Sequence, residues 1–110
     1  MKSLYEQSVD VEAMIKNLRP SKNIIYNGYR PAFKVKYNYL TSGEIRFKDV
    51  QEIEFGDIAL AEIRFITPQC YPHCLEIGQV LEFQEGFSLH GYATITKIYN
   101  KILEKESSSF

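Results

Sequence analysis

The residues with the clearest chemical potential lie together in the segment Cys70-Tyr71-Pro72-His73-Cys74, and a second histidine follows at His90. Thiolate and imidazole groups at this spacing can bind zinc, but structural zinc sites normally use two paired clusters and this chain has one. A cysteine nucleophile needs an activating neighbour, and the segment offers His73 alone. We therefore expect ordinary loop thiols here, with no metal and no cofactor.

Paired carboxylates are the second set of groups that could do chemistry. Glu52 with Glu54, and Glu82 with Glu85, lie close enough in sequence to suggest general acid and base catalysis. Acids at this spacing on a strand are more typical of a solvated face, and no pattern in the sequence places them in a pocket. The sequence thus predicts no catalytic residues and favours a binding module over an enzyme.

Basic residues form the third pattern, because residues 13 to 43 contain six basic side chains and no acidic one. Lys22, Arg30, Lys34 and Lys36 could neutralise RNA phosphates while neighbouring tyrosines stack on bases. Residues 1 to 50 carry a balance of +4, and residues 51 to 110 a balance of −5. A folded chain with this distribution would have a basic and an acidic face.

The same segment has a structural interpretation. Tyr37 and Tyr39 continue the alternation of Phe33 and are then core residues, while Lys34 and Lys36 form a solvated strand face. Arg30 would stack on an aromatic ring or pair with a carboxylate. The overall net charge of −1 favours this interpretation over RNA binding.

The length of 110 residues suits one domain with a single core. No apolar run approaches the roughly 20 residues that cross a bilayer, and the first residues lack the apolar core of a signal peptide. Two cysteines are too few for a secreted disulfide framework. We therefore expect a cytoplasmic protein that does not contact a membrane.

Alternation of apolar and polar residues predicts strands through most of the chain. The predicted strands are residues 33 to 39, a short return at 45 to 47, a short piece within 50 to 54, residues 58 to 67, 80 to 84 and 88 to 99, with a turn at 40 to 43. Residues 8 to 18 fit both a strand and a helix. Residues 1 to 7 are a flexible lead, and 101 to 110 a polar, frayed tail. Short strands without a long helix predict a small antiparallel barrel or sandwich in residues 8 to 100.

Several motifs in order resemble the C-terminal β-barrel domain of translation elongation factor Tu. They are Gly28-Tyr29-Arg30-Pro31-Ala32-Phe33, Thr41-Ser42-Gly43, Gly56-Asp57, Glu85-Gly86 and Gly91-Tyr92-Ala93-Thr94-Ile95-Thr96-Lys97-Ile98. The resemblance covers roughly residues 8 to 100. It implies a six-stranded antiparallel β-barrel and favours a first strand in residues 8 to 18.

The resemblance also implies a site and a limit. In that family the barrel contacts the T-stem of transfer RNA through turns matching Thr41 and Gly86, but here Phe87 and Ser88 replace the usual glycine and arginine. The missing arginine removes a phosphate contact. The sequence has no Gly-x-x-x-x-Gly-Lys-Ser/Thr loop, so no nucleotide is expected.

A barrel of this kind without its nucleotide domain would expose surfaces that the family buries against its neighbours. Apolar patches of this type usually bind a partner. Leu60, Ile66, Phe87 and Tyr92 are the candidates for such a patch. We therefore expect a protein partner, self-association being one form of it, with RNA binding as the alternative.

Overall fold

Six antiparallel strands close into a barrel in the computed structural model, which describes residues 8–37 and 39–106. The strands are β1 (Val11–Asn17), β2 (Ile25–Tyr26), β3 (Ala32–Lys36), β4 (Tyr39–Phe47), β5 (Glu52–Ile53), β6 (Ile58–Phe65), β7 (Val80–Glu85) and β8 (Ser88–Ile98). Around the barrel the order is β1-β6-β4-β3-β7-β8, and β2 pairs with β5 in a separate small sheet. The predicted all-β, six-stranded antiparallel barrel is confirmed.

The first strand settles the ambiguity of residues 8 to 18 in favour of alternation. Val11, Ala13 and Ile15 are fully buried, whereas Met14 and Lys16 face outward. β1 pairs with β6 on one side and with β8 on the other, so its backbone hydrogen-bonding groups are used on both edges. A helix with the same apolar residues would leave the barrel open between β6 and β8.

Aromatic rings fill the barrel interior. The Phe33 ring centroid lies 5.5 Å from those of both Phe65 and Phe83, and Tyr71 makes an edge contact with Phe65 at 6.0 Å. All four side chains are fully buried. Edge-to-face and tilted arrangements of this kind add to the stabilisation from burial alone.

The predicted turn at residues 40 to 43 is wrong, because these residues lie inside β4. Gly43 has a packing role there: a Cβ at this position would stand 2.9 Å from the Phe33 ring and 3.1 Å from Ile63. The glycine therefore lets β4 pass close over a core ring, which sequence patterns do not distinguish from a turn.

The prediction that Tyr37 is a core residue is also wrong. β3 ends at Lys36, the pairing of β3 with β4 shifts register between Lys34 and Lys36, and Tyr37 stands in the following turn with 87% of its surface exposed. Tyr39 is half-buried and packs against the core. Lys34 and Lys36 are exposed as expected.

The C-terminal segment is more ordered than predicted. Residues Lys101–Leu103 form a 3-10 helix, Leu103 is fully buried, and Leu75 bridges Glu104. Leu103 is buried because the loop after β6 folds back and covers it. Local sequence patterns do not predict this contact. The predicted flexible lead, residues 1 to 7, and the last four residues of the predicted tail lie outside the described residues. No helix within 8–37 or 39–106 combines the length and apolarity needed to cross a bilayer.

Candidate functional site

The outer surface of β6, β1, β8 and β7 carries a group of apolar side chains in adjacent register. In one row Leu60 pairs with Met14, Met14 with Thr94, and Thr94 with Val80. This row crosses four neighbouring strands on the outside of the barrel.

The next row along the strands contains two more members of this group. Ile58 pairs with Lys16, Lys16 with Tyr92, and Tyr92 with Glu82. We call the uncharged side chains of these two rows, taken together, the apolar face: Met14, Ile58, Leu60, Val80, Tyr92 and Thr94.

The apolar face is exposed to solvent in the isolated chain. Ile58 exposes 55% of its surface, Val80 54% and Met14 37%, while Leu60, Tyr92 and Thr94 are partly buried. Residues that alternate with them along the strands, such as Ala61 and Ala93, point into the core. The face therefore consists of outward positions that a solvated sheet would fill with polar residues.

The structure brings together two of the four predicted interface residues. Leu60 and Tyr92 belong to the apolar face. Ile66 follows the end of β6 beside Ser42, and Phe87 is fully exposed at the tip of the β7–β8 turn. At about 3.3 Å per residue along a strand, Ile66 lies far from Leu60, and Phe87 far from Tyr92. Sequence reasoning missed Met14, Ile58 and Val80, whose outward positions follow from the alternation once each strand is known.

Two charged side chains flank Tyr92 within the second row, Lys16 on β1 and Glu82 on β7. Both are exposed. Neither forms an ion pair with another residue in the part of the chain that the structure describes. The apolar face therefore carries one positive and one negative charge, separated by a single strand.

A different surface, on β4 and β1, holds buried carboxylates with their cations; we call it the charged belt. Glu44 exposes 2% of its side chain and lies 3.5 Å from Arg30 and 3.3 Å from Arg46. Glu12 accepts hydrogen bonds from Thr96 and Lys48, which lower the pKa of its carboxyl group. Arg30 thus pairs with a carboxylate, one of the two structural roles considered for it.

The predicted RNA-binding residues are scattered. Lys22 lines a cleft of about 370 Å³ with Ile24, Glu54 and Phe55, next to an acidic side chain. Lys34 and Lys36 share the outer side of β3.

The resemblance implies that Thr41 and Gly86 contact transfer RNA. Neither position presents an exposed side chain to a ligand. Thr41 is buried and accepts a hydrogen bond from the Tyr71 hydroxyl, so its side chain is not presented to a ligand. Gly86 forms the β7–β8 turn with φ +57°, a conformation that favours glycine.

A polar cluster at one end of the barrel joins β7 and β8 to the segment before β3. The Tyr29 hydroxyl donates to Glu85 Oε2 at 2.8 Å, His90 Nδ1 lies 2.8 Å from the same oxygen, and Arg19 lies 3.2 Å away. The Arg19 guanidinium also stacks over the Tyr29 ring at 4.6 Å. His90 Nδ1 also lies 3.0 Å from the Tyr29 hydroxyl oxygen, so these side chains form one connected cluster.

The contacts within this cluster also shift the pKa values of Tyr29 and Glu85. Burial, followed by the neighbouring Glu85, raises the pKa of Tyr29. The hydrogen bond from Tyr29 lowers the pKa of Glu85. A tyrosine held neutral beside a carboxylate held ionised leaves neither group matched to proton transfer near neutral pH. The cluster fastens the β7–β8 turn, with Phe87 at its tip, to the rest of the barrel.

Both cysteines of the Cys70–Cys74 segment are free thiols, with Cys70 exposed and Cys74 partly buried. Burial raises the pKa of the Cys74 thiol, which disfavours the reactive thiolate. His73 Nδ1 lies 2.9 Å from the Glu104 carbonyl oxygen. Within residues 8–37 and 39–106, no three His, Cys, Asp or Glu side chains are grouped so that they could hold a metal ion.

Comparison of the chain with protein-family profiles and with curated proteins finds no match.

Proposed function

We propose that this protein is a non-catalytic binding module, related to the C-terminal barrel of translation elongation factor Tu, that binds another protein through its apolar face. The observation that carries the proposal is the register that aligns Leu60, Met14, Thr94 and Val80 across four neighbouring strands. The relation to elongation factor Tu rests on the sequence motifs, and the closed six-stranded barrel is compatible with it.

The composition of the face supports protein binding. Tyrosine and methionine are enriched at protein interfaces, and Tyr92 and Met14 are both present here. The aliphatic side chains of Ile58, Leu60 and Val80 lie on the neighbouring strands. A contiguous apolar patch on the outside of a water-facing sheet has an energetic cost that a partner removes.

Site-specific photocrosslinking tests this proposal directly. A photoreactive phenylalanine derivative replaces Tyr92 in one variant and Tyr26 in a matched control, since Tyr26 is an exposed tyrosine on the separate β2–β5 sheet. We expect a crosslinked protein product from position 92 and none from position 26. No product from position 92, or equal products from both positions, would contradict protein binding through the apolar face.

RNA binding is the second candidate, and one observation favours it. Tyr37 is an exposed ring beside Lys34 and Lys36 rather than a core residue, so an aromatic group is free to stack next to two cations. Base stacking on an aromatic side chain contributes about 1–3 kcal/mol per base. This removes one argument for a purely structural role of the segment.

Fluorescence anisotropy with transfer RNA and with an unstructured RNA, at low and at physiological salt, tests the second candidate. Binding should weaken steeply with salt, since cations on the protein displace counterions from phosphates. Lys34→Glu with Lys36→Glu should abolish it and Tyr37→Ala should weaken it, whereas Lys101→Glu, at an exposed lysine in the C-terminal segment, should not. The absence of binding at low salt would eliminate this candidate.

A further inference from the structure

We propose that the apolar face binds the same face of a second copy of this chain, about a twofold axis that runs along β8. This inference rests on the proposed use of the face in protein binding, and it names the partner. The argument comes from the positions of Lys16 and Glu82 relative to Tyr92.

The row that contains these residues is nearly symmetric about β8. Lys16 on β1 and Glu82 on β7 are the two register partners of Tyr92, one on each side. Adjacent strands lie about 4.8 Å apart, so each charge stands one strand spacing from the tyrosine. In the next row Met14 and Val80 hold the same relation to Thr94.

A twofold axis along β8 exchanges β1 with β7 when two copies meet face to face. Lys16 of one copy then faces Glu82 of the other, and the reciprocal pair forms on the opposite side of the axis. Met14 faces Val80 in the same way, while Tyr92 and Thr94 each face their own counterpart. One operation therefore satisfies both charges and joins apolar with apolar side chains.

The other twofold axis within the plane of the face, perpendicular to the strands, gives a poorer match. If it passes through the charged row, Lys16 faces Lys16 and Glu82 faces Glu82, and like charges at an interface are strongly unfavourable. If it passes between the rows, Lys16 faces Met14 and Glu82 faces Val80, which leaves both charges against apolar groups. The charge pattern thus selects the axis along β8.

The lack of ion pairs for these two residues within the described chain adds to the argument. Of the exposed charges near β1, Lys48 is already paired with Glu12. Lys16 and Glu82 can therefore form ion pairs with a second copy. Because a barrel is convex across its strands, the contact is confined to β1, β8 and β7, and its small area predicts a dimer that dissociates at low concentration.

Charge reversal tests the geometry. Sedimentation velocity over about a hundredfold range of concentration should show the wild-type chain passing from monomer to dimer, as mass action requires. Lys16→Glu places two pairs of glutamates in the interface, and Glu82→Lys places two pairs of lysines. Each single variant should weaken self-association by at least about tenfold.

A mixture of the two single variants provides the decisive measurement. One chain then carries glutamate at positions 16 and 82 and the other carries lysine at both, so only the mixed dimer has two opposite-charge pairs. We expect the mixture to associate although neither variant does alone, and the double variant Lys16→Glu with Glu82→Lys to self-associate again. Lys101→Glu, an exposed change in the C-terminal 3-10 helix outside this face, should leave association unchanged.

The outcomes separate this inference from the proposed function. A wild-type chain that stays monomeric throughout, while position 92 crosslinks a different protein, would overturn self-association and leave protein binding intact. A dimer that is insensitive to both single changes, or a mixture that fails to associate, would overturn the β8 axis. If position 92 crosslinks neither a second copy nor any other protein, the proposed function itself fails. Circular dichroism of each variant verifies that the barrel is folded.

Discussion

The charged belt and the apolar face lie on neighbouring parts of the same barrel surface, and they differ in burial and in how their charges are paired. In the belt, Glu12 and Glu44 are almost fully buried on the outside of their strands, and each is paired with at least one cation. In the apolar face, hydrophobic groups stand exposed beside Lys16 and Glu82, which form no ion pair among residues 8–37 and 39–106. The belt is complete within one chain, whereas we propose that a partner covers the face. In that proposal the belt serves stability and the face serves binding.

The largest expected effect is the loss of stability on Glu44→Ala. Removing this carboxylate leaves Arg30 and Arg46 close together without their shared counter-charge. We expect the free energy of unfolding, measured by urea denaturation, to fall by about 2–3 kcal/mol, less than for a fully buried pair because both arginines retain solvent contact. Glu82→Ala on the apolar face is the matched control and should change stability by less than about 0.5 kcal/mol. Equal losses would remove the distinction between the two regions.

The belt should also make stability depend on acid pH. Hydrogen bonds from Thr96 and Lys48 lower the folded-state pKa of Glu12 below its usual 4.5. Its contribution is therefore complete above pH 4.5 and is lost as the pH falls through the lowered folded value. Asp10 acts in the opposite direction, since burial raises its pKa.

Because Asp10 and Glu12 act in opposite directions, the contribution of Glu12 is measured as the difference in stability between the wild type and a Glu12 variant. Urea denaturation of wild type and of Glu12→Gln at a series of pH values should show a shallower acid loss in the variant. Asp49→Asn, at an exposed position, should follow the wild type. An identical slope for wild type and Glu12→Gln would show that this carboxylate contributes nothing to acid stability.

The smallest effect on stability, with a large one on binding, is expected for Val80→Thr. Threonine has nearly the same shape as valine, with a hydroxyl group in place of one methyl group. The substitution therefore makes an exposed position of the apolar face polar. Stability should change by less than about 0.5 kcal/mol, while self-association in sedimentation velocity should weaken measurably. Val50→Thr, at another exposed valine outside the barrel strands, should affect neither property. A loss of stability without a change in association would place Val80 in the core of the fold rather than in an interface.

The sequence predicts the barrel because alternation is a local property. Phe33 and Val35 are buried while Lys34 and Lys36 are exposed, as the pattern requires. The pattern of residues 8 to 18 alone does not predict β1, because it fits both a strand and a helix. Pairing with β6 and β8 on its two sides decides in favour of the strand.

Other features depend on contacts between distant segments. The exposure of Tyr37 follows from a register shift in the pairing of β3 with β4. The ion pair of Glu44 with Arg30 joins β4 to the segment before β3. The sequence predicts Leu60 and Tyr92 as members of an exposed apolar patch, together with Ile66 and Phe87. The relation of Leu60 and Tyr92 to Met14 and Val80 required the strand order, which sequence patterns leave open.

The strand pairing of the barrel is uneven, and this has a consequence for its motions. β1 and β8 pair from Val11–Ile98 to Asn17–Gly91, with one register shift between Glu12 and Ala13, whereas β3 and β7 pair at Ala32–Gln84 and Phe33–Phe83. Short ladders separate at lower free energy than long ones, so amide hydrogens along the β3–β7 seam should exchange with solvent before those of β1. Transient opening would then begin at the edge of β7 that pairs with β3, beside the apolar face. The β7–β8 and β1–β8 ladders that carry this face would stay paired during such opening.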